Sequence, residues 1–490
     1  MIDEQKYQAL LDQNAALLEE NTLLRVELAN IKKLIFASKR ERYLPQPDGQ
    51  ISLFATTPVK EEQPKEKQQS KQARPKKKVV TPAQPKGFPA HLKRVEERLD
   101  VENLPEDAKE IGADVTELLA YQEGYFYVRR IIRPRLASKT EDKVYQVNIP
   151  PRLVPKGKLD ESVIAQLLVE KIYLHMPIHR FAKKMKMFDS KVVSISTLQN
   201  GFHKAAEALT PLYHLLEQEI QSQSYLQVDE TPLKVLNDKG KKKASKGYMW
   251  IYRAPQTGAV LFDYHPSRNK ECPQRLLANY KGHLQVDGYG GYNQYHQREG
   301  VTVLNCMAHA RRKFFEAKDY DEQIACWFLG RAAQLYAIER KAREEELSAE
   351  NRLQLRQKEA IPILDEIGKW LEENLYTQLP KSPIGKAIAY AHSRWSRLCL
   401  YASDGELEID NNLIENKIRP LALGRKNYLF AHNEHTAQNL AMLYSLVGTC
   451  EACGINPHKY ISWVLKKIVH HKIDDNARDW LPHRIDPKLL

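Results

Sequence analysis

Cysteine is scarce in this chain, and the first half of the sequence has none. The 490 residues contain six cysteines, of which the first is Cys272. Their scattered spacing is not the paired framework that cross-links small secreted domains, and it indicates a reducing compartment. Only Cys450 and Cys453 have the spacing of a metal or redox pair, and a single such pair is a weak signal.

Long hydrophobic runs are also absent. No segment approaches the roughly 18 uncharged apolar residues that a membrane-spanning helix requires. The first residues, MIDEQKYQALL, are polar and acidic, so they do not resemble a secretory signal. We therefore expect no membrane partner and a cytoplasmic location.

Acidic residues are fewer than basic ones. The chain has 75 Lys and Arg against 62 Asp and Glu, a net charge of +13 and a pI near 9.1. This balance favours a polyanionic partner such as nucleic acid, although a merely soluble basic protein has the same composition. With 42% hydrophobic residues the chain can bury a sizeable core, and its length suits about three domains.

The N-terminal segment, residues 1–36, has the repeat of a coiled coil. Asn14 and Asn21 occupy a positions, where a buried asparagine lowers stability but fixes a parallel two-stranded register. A single amphipathic helix is the alternative, but two such asparagines would suit an ordinary core poorly. The d positions form the sevenfold repeat Leu10, Leu17, Leu24 and Ile31. We expect the chain to dimerise through this segment.

The composition changes after this segment. Residues 37–90 are rich in Lys, Gln and Pro, which predicts a disordered basic linker that contacts DNA phosphates or acts only as a tether. Residues 91–155 resemble a small β-rich module. Residues 156–222 predict three helices, the last being SISTLQNGFHKAAEAL, which form a helix-turn-helix DNA-binding module or a plain connector. Residues 436–490 predict a helical tail.

Residues 223–435 change to a strand-rich pattern. Three β segments, a short helix, a fourth strand and a fifth follow one another, and a helix-rich stretch at about 318–400 comes next. This order is that of the ribonuclease-H-like fold, with the helix-rich stretch as an insertion. The predicted fold class is therefore α/β, with a ribonuclease-H-like core preceded by a coiled coil and small DNA-binding modules.

The tetrapeptide LQVD occurs twice, each time at the end of a predicted strand. Its aspartates, Asp229 and Asp287, fall on the first and fourth strands of the core, which are neighbours in such a sheet. Two adjacent carboxylates repel each other unless cations lie between them. Oxygen ligands of this kind suit Mg²⁺, with Mn²⁺ as a substitute. Two such ions can clamp the attacking and leaving oxygens of a phosphodiester displacement.

A third acid is expected from a helix, and the best candidate is Glu415 in IDNNLIENKIRPLALGRKN. The spacing Asn412-x-x-Glu415 also resembles a helix capping box, which is the structural alternative. If Glu415 only caps a helix, the next candidates for the third acid are Glu406, Glu408 and Asp410.

Basic residues lie beside the predicted acids. After the fifth strand, NCMAHARRKFF places His309 and three basic residues next to the site, where they would contact phosphate or orient DNA. A solvated basic helix start is the alternative. The candidate DNA-binding residues of this segment and of the Glu415 segment are Arg311, Arg312, Lys313, Arg419, Arg425, Lys426 and Asn427.

Four motifs in chain order resemble the large transposase of the insertion-sequence-66 family: VDETPLKV, VDGYGGYNQY, NCMAHARRKF and IDNNLIENKIRPLALGRKNYLF. The resemblance extends from the leucine repeat to the tail SLVGTCEACGINPHKYISWVL. It implies a bacterial, nucleoid-associated DDE transposase that acts on the inverted-repeat ends of its element and on target DNA. Asp229, Asp287 and Glu415 would be its catalytic and metal-binding triad, and other proteins of the element are implied partners.

One departure from the family concerns zinc. The family commonly carries cysteine zinc ligands before the core, whereas Ser138 stands where such a ligand is expected and no cysteine precedes Cys272. Zinc is therefore not expected. Two alternatives to transposition stay open, namely a ribonuclease-H-like nuclease that cuts without joining strands and a domesticated DNA-binding protein with an idle site.

Overall fold

The computed structural model describes residue 126 and residues 136–138, 143–145, 151–187, 193–236, 244–471 and 473–490. The predicted coiled coil (1–36) and linker (37–90) lie outside these residues, as does most of the β-rich module (91–155). Of that module the structure describes a two-stranded antiparallel ladder, formed by β1 Leu136–Ser138 and β2 Lys143–Tyr145. The expectations of a dimer and of no zinc therefore stay predictions.

Three helices precede the main sheet: α1 Glu161–Ile172, α2 Ile178–Met187 and α3 Ile195–Gln221. α3 is longer than the sequence predicts, because it continues through Pro211. A proline removes one helical hydrogen bond, but α3 buries leucines both before and after it, and their burial outweighs that loss. The helix-turn-helix interpretation of this segment stays a prediction.

The described chain is a mixed α/β structure in which many helices surround one five-stranded mixed sheet. The strands are β3 Tyr225–Val235, β4 Ser245–Arg253, β5 Val260–His265, β6 Gly282–Val286 and β7 Val301–Asn305. Their spatial order is β5-β4-β3-β6-β7. β4 is antiparallel to both its neighbours, whereas β3, β6 and β7 are parallel. The first and fourth strands are thus neighbours, which confirms the arrangement predicted from the sequence.

The two LQVD segments pair with each other in register. Leu226 lies opposite Leu284, and Gln227 lies opposite Gln285, in the parallel ladder between β3 and β6. Both leucines are fully buried, so each segment contributes the same apolar side chain to the core. Because the strands run in the same direction, this register brings the two aspartates side by side. Asp287 follows the end of β6 as predicted, whereas Asp229 lies within β3, which continues to Val235 by pairing with β4.

Helices occupy most of the chain around and after the last two strands. α4 Gln274–Leu277 connects β5 to β6. The helices after β7 are α5 Met307–Glu316, α6 Glu322–Glu344, α7 Ala349–Leu355, α8 Ile361–Asn374, α9 Pro383–His392, α10 Trp395–Cys399, α11 Asn412–Tyr428, α12 Glu434–Ala452 and α13 Pro457–His470. The stretch at about 318–400 is therefore helical, as predicted. Within the described part of the chain, no helix has both the length and the apolar character of a membrane span.

The inserted helices share a hydrophobic core with one end of the sheet. Phe314 of α5 stacks on Phe328 of α6 with 3.8 Å between the ring centroids, and Trp327 stacks on Trp370 of α8 at 4.3 Å. Leu304 of β7 belongs to the same buried cluster. The helix that leaves the sheet beside the two aspartates, α5, is therefore fixed between the sheet and the insertion.

Candidate active site

Three carboxylates lie close together where β6 ends beside β3, near the middle of the sheet. One oxygen each of Asp229, Glu230 and Asp287 lies within 4.8 Å of the others. Glu230 was not predicted, because alternation along a strand places consecutive side chains on opposite faces. Its longer side chain nevertheless reaches the same group, and the dipeptide Asp-Glu was the only sequence signal for it.

Backbone hydrogen bonds fix the orientation of both aspartates. The Glu230 N–H donates to Oδ1 of Asp229 at 2.7 Å, and the Tyr289 N–H donates to Oδ1 of Asp287 at 2.8 Å. The side chain of Asn305, at the end of β7, donates to the backbone carbonyl of Asp287 at 3.2 Å. One oxygen of each carboxylate is therefore held by the fold, which sets the direction of the second.

Glu230 is held by two side chains from the neighbouring loops. Its Oε1 accepts hydrogen bonds from the Arg268 guanidinium, with 2.7 Å to Nε, and its Oε2 accepts one from the Tyr292 hydroxyl at 2.8 Å. The side chain of Glu230 is 1% exposed. Arg268 also lies over the ring of Tyr289, 3.9 Å from its centroid. Glu230 thus adds negative charge to the site while both its oxygens are engaged by protein donors.

The negative charges of this site act strongly on one another. Burial raises the pKa of Asp229 well above its ordinary value, and the charges of Glu230, Asp287 and Glu415 raise it further. Burial and the charge of Asp287 also raise the pKa of Glu230, although the nearby Arg268 opposes this. Carboxylates whose oxygens lie within 4.8 Å of one another favour bound protons or cations over free anions.

Glu415 reaches from the first turn of α11 towards the side chains of α5. Its Oε1 lies 3.9 Å from Nε2 of His309 and 3.8 Å from the guanidinium of Arg312, both on α5. Burial lowers the pKa of His309, while the charges of Glu415 and Asp287 raise it. The charge of Glu415 thus influences the pKa of both Asp229 and His309, although Glu415 is not one of the three carboxylates whose oxygens lie within 4.8 Å of one another.

The capping-box alternative for Glu415 is wrong. The residue that precedes α11 is Asn411, and its side chain makes no capping hydrogen bond. Asn412 is the first helical residue, and its backbone N–H and Nδ2 donate to the carboxylate of Asp410 at 3.0 and 2.7 Å. The helix start is stabilised by Asp410, which leaves Glu415 directed at the α5 side chains.

The three other acids proposed for the third position have partners of their own. Glu408 forms an ion pair with Arg352 at 3.0 Å, and the Tyr336 hydroxyl donates to Asp410 at 2.7 Å. Glu406 accepts a long hydrogen bond, 3.4 Å, from Gln256. These contacts favour Glu415 as the third acid of the site.

The predicted DNA-binding residues divide into two groups. On α5, the Arg311 guanidinium lies 5.7 Å from the ring centroid of Tyr336, and Lys313 lies 3.9 Å from Glu316. The other group lies at the far end of α11, about 15 Å along the helix from Glu415. There Arg425 donates to the Thr231 hydroxyl at 2.9 Å, Arg180 donates to Asn427 at 3.3 Å, and Lys426 is exposed. Arg419 is half-buried on α11 between Glu415 and this second group.

The donor set of this site fits a hard divalent cation. Asp229, Glu230 and Asp287 offer oxygen atoms alone, and burial together with the neighbouring negative charges raises the pKa of Asp229 and Glu230. Carboxylate oxygens are the ligands that Mg²⁺ and Mn²⁺ prefer, whereas zinc sites commonly include sulfur or imidazole nitrogen. The carboxylates can therefore hold a metal ion.

Two curated relatives resemble most of this chain. The uncharacterized protein y4jD of Sinorhizobium fredii is 30% identical over 475 residues, which cover 91% of both chains. The uncharacterized protein y4qI of the same organism is 30% identical, with 83% of this chain and 78% of its own covered. A solved structure, the Mos1 transposase paired-end complex with left transposon end, covers 55% of this chain and 83% of its own. At 11% identity and a TM-score of 0.12 it is too dissimilar to establish a common fold.

Three family models match successive parts of the sequence. The model described as transposase IS66 family matches residues 156–439, which is more than half of the chain and includes all the acids of the site. The IS66 C-terminal element matches residues 445–478, and the model described as transposase C of IS166 homeodomain matches residues 23–96. This chain belongs to the IS66 family of transposases.

Proposed function

We propose that this chain is a DDE transposase, which cleaves DNA at the ends of an insertion sequence and transfers the strands to target DNA. Asp229, Asp287 and Glu415 are its catalytic triad. The observation that carries this proposal is the group of acids on β3 and directly after β6 whose oxygens lie within 4.8 Å of one another. Burial, and then the charges of these acids and of Glu415, raise the pKa of Asp229. Membership in a transposase family supports the same role and a DNA substrate.

The core of this enzyme is ribonuclease-H-like. The support is the sheet order β5-β4-β3-β6-β7, in which three antiparallel strands are followed by a helix and two parallel strands. In this arrangement the first and fourth strands carry their aspartates to one edge. Although the helical insertion separates Asp287 from Glu415 in sequence, Glu415 lies 3.9 Å from His309 on α5, the helix that follows β7.

Mg²⁺ is the proposed cofactor, with Mn²⁺ as a substitute, held by Asp229, Asp287 and Glu415 beside Glu230. When bound, such ions polarise the phosphodiester and favour ionisation of the attacking hydroxyl group. The chain's own residues do the positioning. Backbone N–H groups hold one oxygen of each aspartate, and Arg312 places a positive charge beside the third acid, where a DNA phosphate is neutralised.

The basic residues beyond the acids are proposed to bind the DNA backbone. Arg311, Arg312 and Lys313 contact phosphates next to the scissile bond, and the group at the end of α11 contacts flanking DNA. The DNA partners are the inverted-repeat ends and the target. A second copy of this chain and other proteins of the same element complete the assembly, which acts in the bacterial cytoplasm at the nucleoid.

A strand-transfer assay tests the proposed function. Full-length protein is incubated with Mg²⁺, a supercoiled plasmid that carries its coding region with the natural flanking DNA, and the other proteins of the element. We expect nicks or breaks at both flanks and joined products with a second, labelled plasmid. Cleavage without joined products would favour the nuclease alternative. Binding without cleavage would favour an idle DNA-binding protein.

Deleting residues 1–36 is expected to convert the DNA-free protein from a dimer to a monomer, because the predicted coiled coil supplies the dimer contact. Light scattering measures the mass of both forms. As a matched change, replacing Asn14 and Asn21 by leucine should keep association but lose the two-stranded preference. An unchanged mass after the deletion would place any dimer contact elsewhere in the chain.

A further inference from the structure

Each LQVD segment carries a glutamine two residues before its aspartate, and the ladder alone does not explain these glutamines. Gln227 and Gln285 lie opposite each other on β3 and β6, and both are 0% exposed. Burying an amide costs free energy unless it is hydrogen-bonded, and an apolar side chain of the same size has no such cost. Two amides at the same position of paired strands therefore indicate that their hydrogen bonds have a role.

The two amides connect the aspartate strands to the segment that leads into α11. Nε2 of Gln285 donates to the Glu408 carbonyl at 2.7 Å, and Nε2 of Gln227 donates to the Asp410 carbonyl at 3.0 Å. Nε2 of Gln227 also donates to Oε1 of Gln285 at 2.8 Å, so the amides bond to each other. The Tyr225 hydroxyl donates to that same oxygen at 2.6 Å and accepts the Glu408 N–H at 3.2 Å. The paired amides thus hold two alternate carbonyls of a segment that lies 183 residues after Gln227 and 123 residues after Gln285 at the two bonded positions.

The segment that leads into α11 is also held by hydrogen bonds to its other backbone carbonyls. The Ile409 carbonyl accepts the Met307 N–H at 3.2 Å, which ties the segment to the start of α5. The fully buried guanidinium of Arg356 donates to the carbonyls of Tyr401 and Leu407. Glu415 follows Asp410 by little more than one helical turn, or about 7 Å. A segment fixed at successive residues therefore fixes where Glu415 stands relative to the aspartates.

We propose that Gln227 and Gln285 are positioning residues that hold the Glu415 segment in register with the two aspartates. The inference rests on the proposed function, since it gives the glutamines a role in assembling the DDE triad. Each copy of the repeated sequence thus supplies an acid to the site and, two residues earlier, an amide that binds the Glu415 segment. Without the amides, the carbonyls of Glu408 and Asp410 lose their donors, and Glu415 is no longer fixed opposite the aspartates.

The test uses Gln285→Met and, separately, Gln227→Met in the full chain, because methionine keeps the volume and removes the donors. Mn²⁺ alone is titrated and followed by electron paramagnetic resonance, and hydrogen exchange is measured on peptides that span 407–416. Loss of a group that orients a metal ligand weakens metal affinity about 10- to 100-fold. We expect a rise of that size in the Mn²⁺ dissociation constant, together with faster exchange in 407–416.

Thr449→Val is the matched control. Thr449 is also 0% exposed, and its hydroxyl accepts the Val260 N–H at 3.0 Å on β5, the strand at the far edge of the sheet. This change should lower the melting temperature as the glutamine changes do, but leave Mn²⁺ affinity and exchange in 407–416 unaltered. Wild-type values of both quantities in the glutamine variants would overturn the proposal, and so would an equal loss in the control.

The two proposals fail in different ways. If the wild-type chain binds no Mn²⁺, the proposed metal-dependent function fails, and the exchange rates of 407–416 alone decide whether the glutamines hold the segment. If Gln285→Met does not fold, Gln227→Met decides, because it removes a donor to the same segment while Gln285 keeps its bond to the Glu408 carbonyl.

Discussion

Replacing Asp229 by asparagine is expected to abolish metal-dependent DNA cleavage and, without metal, to make the protein more stable. Asparagine keeps the shape of the side chain but removes a charge that helps to hold the cation. The same charge is unfavourable in the metal-free fold, because burial and the neighbouring carboxylates raise the pKa of Asp229. Asp287→Asn should abolish cleavage in the same way, since both aspartates belong to one group of ligands.

The gain in stability depends on pH in a definite direction. A carboxyl group whose pKa is raised in the folded state contributes stability that is fully present below its unfolded pKa, about 4. That contribution is lost as the pH rises through the raised value. The melting temperatures of Asp229→Asn and the wild type in EDTA should therefore coincide near pH 4. The variant should melt several degrees higher at pH 8.

Calorimetry in EDTA and a cleavage assay in Mg²⁺ measure the two effects on the same preparations. Asp263→Asn is a matched control, because Asp263 is a buried aspartate of β5 whose Oδ1 lies 3.0 Å from the Arg275 guanidinium. Removing this compensated charge should lower the melting temperature and leave the metal dependence of cleavage unchanged. Near-normal cleavage by Asp229→Asn or Asp287→Asn would contradict the assignment of the triad.

The strand order and the meeting of the two aspartates could be predicted because both depend on local patterns. Each LQVD is a short apolar segment that ends in a charge, and the alternation of strands and helices restricts the topology. The register that pairs Gln227 with Gln285 was not predicted, because a common strand direction does not by itself determine which residues lie opposite each other. The prediction of a strand end is correct for Asp287, which follows β6 directly, and wrong for Asp229, because β3 continues to Val235 by pairing with β4.

Other features depend on contacts that no local pattern encodes. The hydrogen bond from Gln227 to the Asp410 carbonyl joins residues on either side of the helical insertion. The reach of Glu230 into the site contradicts simple strand alternation. α3 extends beyond Pro211 because its buried face continues. In each case tertiary packing decided between local alternatives of similar energy.

Glu415→Gln is expected to lower Mg²⁺-dependent cleavage by at least about a hundredfold, or about 2.7 kcal/mol of transition-state stabilisation. Glutamine removes an anionic oxygen while keeping the length of the side chain. Its effect on stability should be small, because Glu415 makes no capping bond and lies 3.8 and 3.9 Å from its two basic neighbours, too far for strong ion pairs. Melting temperature and cleavage rate, measured on one preparation, separate the two effects.

Asn412→Ala, in the same helix, is expected to lower stability without lowering cleavage, which is the reverse of the result for Glu415→Gln. It removes the bond from Nδ2 to the Asp410 carboxylate, which should cost roughly 1 kcal/mol of stability, but it leaves every acid of the site in place. Its cleavage rate, measured well below the melting temperature, should stay near that of the wild type. Normal cleavage by Glu415→Gln would mean that another residue is the third acid. Glu230 would then be tested first, because its carboxylate already lies within 4.8 Å of both aspartates, whereas Glu408 and Asp410 are engaged by Arg352 and Tyr336.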